Sequence, residues 1–242
     1  MGLLGGTTVV AKKILWMAAV FAGVLLLGGC GRGRGGWTPG EPTAISIAED
    51  GTVTEIVQET FDASYYNADE LQSMITSEVS QYNTENGEGS VEMEEFSAED
   101  GTVSLQMKYA SASDYAEFNN TEFYYGSMID AQLEGYLFDV GFKQVRNGTV
   151  HGSEVTGSEV IKNMADQVLV VRAPLEIKVP GNVTFTSSNA EVLSADVVNA
   201  TGEQEEEEDA GLVLPSSAVY REESTYTEKT EANRVYIIFE ME

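Results

Sequence analysis

The chain has 242 residues, of which 42% are hydrophobic, one is a cysteine and one is a histidine. It can therefore bury a core in one or two domains, but its lone cysteine excludes an internal disulfide and a metal cluster built from several cysteines. The 13 basic and 40 acidic residues give a formal charge of −27, which disfavours nucleic acid and anionic lipid and favours solubility, cations or basic partners.

The N-terminal segment has the features of an export signal. Lys12 and Lys13 precede the uncharged stretch 14–27. This stretch is shorter than the roughly 20 residues that cross a bilayer, and its length is typical of a signal peptide. It ends in Leu27-Gly28-Gly29-Cys30, an aliphatic residue and two glycines before the cysteine.

This tetrapeptide resembles the lipobox of bacterial lipoproteins. The resemblance implies cleavage between Gly29 and Cys30, and attachment of a diacylglycerol, with acyl chains such as palmitate, to the Cys30 thiol. The chain would then be anchored at the extracytoplasmic face of the cell membrane, with no other cofactor. The acidic composition is also similar to that of uncharacterised cell-surface lipoproteins of Gram-positive bacteria. An ordinary signal peptide or an uncleaved anchor is the alternative.

The organisation after the anchor changes along the chain. Residues 1–29 are predicted to be the lipoprotein signal peptide, and residues 30–43, which begin with a glycine- and arginine-rich run, a flexible tether. Residues 44–166 are predicted to be an α+β region with hairpins and helices. Residues 167–242 are predicted to be β-rich and either continue that domain or form a second one.

Two hairpins are predicted from one hexapeptide that occurs twice. The sequence Ala-Glu-Asp-Gly-Thr-Val occupies residues 48–53 and 98–103, and Asp-Gly between apolar, β-forming runs indicates a hairpin. A helix pattern follows each copy, so the two stretches are either an internal repeat or hairpins that arose independently. The second explanation is favoured because the similarity ends with the hairpin.

Four helix starts are predicted from capping pairs, in which a small polar residue is followed three positions later by an acid. The third helix is predicted to run through Ile129 and Leu133 towards Leu137. The pairs are Asn67/Glu70, Ser111/Asp114, Ser127/Asp130 and Thr156/Glu159.

The C-terminal part is dominated by strand patterns. Predicted strands include residues 168–171, 192–198 and 235–239, the last with the apolar run of a central strand. The acidic run 205–209 is expected to be solvent-exposed. The predicted class is therefore α+β, with antiparallel hairpins and packed helices in the N-terminal part and a β-rich C-terminal part.

No catalytic or metal-binding constellation is predicted. His151 lies in a glycine-rich polar stretch and is expected to be an exposed hairpin or loop residue. Ser153 is two residues away, but nearness in sequence does not by itself indicate a catalytic triad. No Asp-x-Asp-x-Asp-Gly calcium loop, P-loop, zinc spacing or nucleophile elbow is present.

Two tyrosine pairs are the candidate ligand contacts. Tyr65 and Tyr66, and Tyr124 and Tyr125, stand beside polar residues. Each ring offers a flat apolar face and a hydroxyl, which suits carbohydrate or peptide recognition. The alternative is that the rings pack helices onto a sheet.

Together these features predict a lipid-anchored, non-enzymatic binding or accessory module of the cell envelope. Its expected partners are the membrane, through the anchor, and an envelope glycan, a peptide or a basic protein, but not nucleic acid. The alternatives are a carboxylate-based hydrolase that acts on envelope glycans or peptides, and an assembly factor of a membrane complex.

Overall fold

The computed structural model describes residues 43–63, 65–200 and 234–241. The predicted signal peptide, Gly29, Cys30, the tether up to residue 42 and the acidic run lie outside these residues. The chain divides into two compact units, Met1–Thr121 and Glu122–Glu242. The predicted change of character at residue 167 falls inside the second unit. The predicted α+β class is confirmed.

The first unit contains a four-stranded antiparallel arrangement, ordered β1-β2-β4-β3. Its second strand pairs on both sides, since Val53 lies opposite Ile47 and also opposite Tyr109. The inward-facing residues of β4 are apolar or aromatic and are buried, as the alternation of a half-buried strand requires. The strands are β1 (Thr43–Ile47), β2 (Val53–Thr60), β3 (Val91–Glu99) and β4 (Thr102–Tyr109).

Two helices complete the first unit, α1 (Ala68–Asn86) and α2 (Ala112–Asn119). Both begin where the capping pairs predict. The Asn67 side chain accepts hydrogen bonds from the first-turn amides, and Ser111 accepts one from the Asp114 amide while donating to the Asp114 carboxylate. These bonds satisfy amides that have no partner within the helix.

The two identical hexapeptides both form hairpin turns, as predicted, but with different geometry. In the second copy, Asp100 and Gly101 both have positive φ and connect Glu99 directly to Thr102. In the first copy only Gly51 has positive φ, and a longer loop is closed by the Ala48 amide bonding the Thr52 carbonyl at 2.9 Å. The same six residues therefore form two different turns, depending on the strands that they connect.

The second unit contains a six-stranded antiparallel sheet ordered β5-β8-β13-β10-β6-β7. Its strands are β5 (Phe123–Ser127), β6 (Gly141–Arg146), β7 (Thr149–Thr156), β8 (Gln167–Val171), β10 (Gly181–Ser187) and β13 (Val235–Met241). Three short strands, β9 (Glu176–Lys178), β11 (Glu191–Val192) and β12 (Val197–Asn199), pair antiparallel in the order β9-β12-β11.

The structure confirms one strand prediction in this unit and corrects another. Strand β13 is central, and residues 235–239 are all buried. The single strand predicted over 192–198 is wrong, because a tight connection divides it into β11 and β12. In that connection the amides of Leu193 and Ser194 both bond the Val197 carbonyl, and the Ser194 hydroxyl donates to Asp196.

Two short helices, α3 (Met128–Leu133) and α4 (Gly157–Val160), also differ from the prediction. Helix α3 has the predicted Ser127 cap but ends before Leu137, and Gly135 follows with φ +94°, a value that interrupts a right-handed helix. Thr156 does not cap α4; its hydroxyl lies 2.8 Å from that of Ser158.

The core of the second unit is apolar and aromatic. The rings of Phe138, Phe142 and Tyr236 contact one another with centroids 5.0–6.3 Å apart. Helix α3 contributes Met128 and Ala131 to the same cluster, and α4 contributes Val160. Gly157 lies so close to the Phe138 carbonyl that a Cβ has no room. The buried members are Met128, Ala131, Phe138, Phe142, Val160, Val168, Val170, Phe185, Tyr236 and Ile238.

Candidate recognition site

Three aromatic rings form a cluster in the connection between β2 and α1. We call Phe61, Tyr65 and Tyr66 the aromatic cluster. The rings of Phe61 and Tyr66 stack with centroids 4.6 Å apart and an interplanar angle of 16°. Tyr65 meets Tyr66 edge-on, with centroids 4.8 Å apart. Both arrangements are favourable for aromatic pairs.

Backbone hydrogen bonds hold this connection at both ends. The Phe61 amide donates to the Gly101 carbonyl, which ties the end of β2 to the β3–β4 turn. The Tyr66 amide donates to the Ala63 carbonyl at 2.9 Å, and Asn67 then caps α1. The cluster is therefore positioned by a strand, a turn and a helix start.

The cluster is open to solvent and lies beside a carboxylate. Tyr65 is 81% exposed and Tyr66 39% exposed, whereas Phe61 is half-buried. The pKa of Tyr66 is raised, chiefly by a hydrogen bond with Tyr65 and also by the negative charge of Asp62. The site thus combines flat apolar ring faces with hydroxyl and carboxylate groups that can bind a polar ligand.

The second predicted pair, Tyr124 and Tyr125, lies on β5 in the other unit and has different surroundings. Tyr124 packs on the apolar core and against Tyr136, with ring centroids 5.0 Å apart. Tyr125 stacks on Phe239, with an interplanar angle of 4° and centroids 6.2 Å apart. Both are half-buried, so this pair matches the packing alternative more closely than Tyr65 and Tyr66 do.

A buried carboxylate network was missed by the sequence analysis. Glu55 is 7% exposed in the middle of β2, opposite Ile45 and Met107. Tyr109 donates a hydrogen bond to Glu55 at 2.6 Å, and Tyr115 donates another at 3.4 Å. Burial raises the pKa of Glu55, and the two hydroxyl donors offset part of that rise.

The sequence contained one indication of this network. Glu55 shares the strand face of Val53 and Val57, where the alternation calls for an apolar residue. A glutamate at such a position must find donors, because a buried polar group without hydrogen bonds is costly. The tyrosines that supply them are more than fifty residues away in sequence, so only the fold identifies them.

A second, partly exposed carboxylate site lies where α1 meets α2. The Tyr82 hydroxyl donates to Asp114 and to Glu117, each at 3.2 Å. Desolvation, followed by the two carboxylate charges, raises the pKa of Tyr82 above its ordinary value. Two acids are thereby brought within reach of one hydroxyl, a placement that general acid–base chemistry could use.

An ion cluster joins the ends of three strands in the second unit. Glu122 accepts from Arg172 at 3.0 Å and from Arg234 at 2.8 Å. These residues lie just before β5, just after β8 and just before β13, and the Arg234 guanidinium also lies 5.4 Å from the centre of the Tyr136 ring. Their positions favour a role in fixing strand ends.

The described residues 43–63, 65–200 and 234–241 bring together no three histidine, cysteine or acidic side chains as a metal site. His151 is exposed on β7 opposite Gln144, as predicted for a hairpin residue. None of the helices in this part of the chain is long and apolar enough to cross a membrane.

The anchor prediction, with Gly29 and Cys30, falls on residues that the structure does not describe. No protein-family model, curated protein or solved structure matches the chain.

Proposed function

We propose that this chain is an extracytoplasmic lipoprotein, anchored through Cys30, that recognises a glycan of the cell envelope through the aromatic cluster. The anchor rests on the lipobox-like Leu27-Gly28-Gly29-Cys30 after a short apolar segment. The recognition role rests on one observation, the 81% exposure of Tyr65 beside a stacked aromatic pair.

Glycans suit this surface for a chemical reason. A sugar ring has an apolar face of C–H groups that can lie on an aromatic ring, while its hydroxyls need polar partners. Tyr65 offers such a ring, and the exposed Asp62 carboxylate can accept from a hydroxyl. A stacked and hydrogen-bonded site also loses little conformational freedom on binding.

The glycan proposal is tested by titrating envelope glycan fragments, and peptides of the same size, against the protein and its Tyr65→Ala variant. Loss of one aromatic contact is expected to weaken glycan binding by about three- to tenfold. Tyr65→Phe keeps the ring and should retain most of the affinity. Leu193→Ala, which removes an exposed apolar side chain of the second unit, is the matched control. Glycan binding that is unchanged in Tyr65→Ala would contradict the proposal, and preference for the peptides would replace the glycan with a peptide ligand.

The anchor is tested separately with Cys30→Ala. The chain with its natural sequence is expected to incorporate labelled fatty acid and to remain with the membrane fraction, whereas Cys30→Ala should incorporate none. Incorporation of labelled fatty acid by Cys30→Ala at the level of the natural sequence would contradict lipid anchoring through Cys30.

A carboxylate-based hydrolase acting on the same envelope material is the second candidate function. The shared hydrogen bonding of Asp114 and Glu117 to Tyr82 favours it. Glu55 is a weaker choice despite its raised pKa, because its burial keeps a substrate away. Turnover of a glycan or peptide that is abolished by Glu117→Gln would favour the hydrolase, and turnover unaffected by Glu117→Gln would exclude this pair.

A further inference from the structure

Four large apolar side chains are exposed on and beside α3. We call Ile129 (47% exposed), Leu133 (80%), Leu137 (69%) and Met164 (46%) the α3 patch. Ile129 and Leu133 lie one helical turn apart and so share a face. The Met164 sulfur lies 4.0 Å from the Gln132 side-chain nitrogen, which places Met164 alongside the helix.

The residues of the α3 patch are exposed although α3 is firmly packed against the core. The helix already buries Met128 and Ala131 completely in the apolar core. The outward face of such a helix is ordinarily polar. Apolar side chains that cluster on an outward face mark surfaces that bind other molecules.

The surroundings of the α3 patch are mainly acidic. Asp130 and Glu134 are exposed on the same short helix segment, and exposed Lys162 stands two residues before Met164 in sequence. The negative charges of Asp130 and Glu134 also affect Tyr124 on the adjacent strand β5. Desolvation raises the pKa of Tyr124 to about 12, and Asp130 and Glu134 add to that rise.

Charge decides which occupant fits the patch. A second copy of this chain would bring the same carboxylates against each other and also carries a formal charge of −27, so self-association is opposed. A surface of anionic lipid is repelled in the same way. We propose that the α3 patch docks an amphipathic helix of a partner protein, with apolar residues on one face and lysine or arginine on its flanks.

The proposal is tested with the lipidated protein in nanodiscs of zwitterionic lipid, with empty nanodiscs as the blank. The probe is a fluorescent 16-residue Lys/Leu peptide with helical amphipathic order. Two further peptides serve as comparisons, a scrambled peptide of the same composition and a Glu/Leu peptide. Anisotropy titrations should show binding of the Lys/Leu helix that exceeds both comparisons by about tenfold or more.

Variants then separate the apolar contact from general attraction between opposite charges. Leu133→Ser leaves the charge unchanged and should weaken the Lys/Leu helix by about tenfold, whereas Leu193→Ser, at an exposed site outside the patch, should not. Glu134→Gln should weaken binding by about two- to threefold and reduce its dependence on salt. Circular dichroism checks that each variant is folded.

Several outcomes would overturn the docking proposal. These are equal binding of the ordered and scrambled peptides, binding of the Lys/Leu helix that Leu133→Ser does not change, or sedimentation showing self-association that Leu133→Ser abolishes. Tyr65→Ala should leave peptide binding unchanged, so this proposal and the glycan proposal can fail independently.

Discussion

The two units differ in where their buried polar side chains lie. In the first unit the Glu55 carboxyl lies among apolar residues and depends on Tyr109 and Tyr115 as donors. In the second unit the core cluster is formed by apolar and aromatic side chains, and the buried polar residues Asp166, Thr186 and Ser187 lie outside that cluster. A polar network demands particular partners, whereas an apolar cluster demands volume and shape. The first unit is therefore expected to be sensitive to hydrogen-bonding groups and the second to lost volume.

Helices α1 and α4 differ in whether a side-chain cap or burial stabilises them. Helix α1 has 19 residues, of which only Ile75 is buried, while other apolar residues of the same face, such as Leu71 and Val79, are half-buried. Helix α4 has four residues, of which Gly157 and Val160 are buried, and it forms without a side-chain cap. Capping is therefore expected to contribute more to the stability of α1 than to that of α4.

The largest effect is expected for Phe142→Ala in the second unit. Phe142 is completely buried and contacts Phe138 and Tyr236. Loss of the ring leaves a cavity, so the free energy of unfolding should fall by about 3–5 kcal/mol. This fall in the free energy of unfolding is measured in urea, with hydrogen exchange of the β6 amides as the probe. The control, Val150→Ala on exposed β7, should change it by less than about 0.5 kcal/mol. A similar loss in both variants would show that the core is not packed as described.

The next largest effect is expected for Glu55→Leu in the first unit. The apolar side chain of leucine suits the buried site. It removes, however, the Glu55 carboxylate to which the Tyr109 and Tyr115 hydroxyls donate. The loss should be about 1–3 kcal/mol, measured by exchange of the β4 amides in urea. Glu55→Gln keeps a carbonyl acceptor and should lose less. If leucine were tolerated better than glutamine, the network would be dispensable, and the contrast between the two units would disappear.

The Glu55 network also predicts a dependence of stability on pH. Because burial raises the pKa of Glu55 above its ordinary value of 4.5, the folded state binds its proton more tightly than the unfolded state. The resulting stabilisation is fully present below 4.5 and is lost as the pH rises through the raised, folded-state pKa. The stability of the native protein should therefore fall relative to Glu55→Gln as the pH rises above 4.5. A difference that stays constant with pH would contradict the raised pKa.

Much of the fold could be predicted because its cues are local. The caps at Asn67, Ser111 and Ser127 and the Asp-Gly turns are properties of a few adjacent residues, and the structure confirms them. The predicted Thr156 cap does not form, and α4 instead has Gly157 packed against the Phe138 carbonyl, a contact between residues distant in sequence that no local pattern indicates. The end of α3 was misplaced because exposed Leu133 and Leu137 imitate a buried helical face.

The site was less predictable because exposure depends on the whole unit. Tyr65-Tyr66 and Tyr124-Tyr125 are identical pairs in sequence, yet Tyr65 is largely exposed and Tyr124 packs on the core. What separates them is that one pair lies in a connection and the other on a strand inside a sheet. Phe61, which completes the aromatic cluster, could be suspected only once Tyr66 was known to stack on it.

The smallest effect is expected at the helix caps, and it tests whether capping matters more in the first unit. Asn67→Ala removes the acceptor of the Asp69 and Glu70 amides and should cost about 1 kcal/mol. Asn67→Asp keeps an acceptor oxygen and should cost little. Thr156→Ala in the second unit removes no cap bond to the α4 backbone, so its loss should be clearly smaller. Exchange of the amides in α1 and α4 compares the variants, and because α1 has so few buried residues, the Asn67→Ala loss should be concentrated in its first turn. An equal loss in the two alanine variants would mean that α4 also relies on its N-terminal hydroxyl, and that packing does not replace the cap in the second unit.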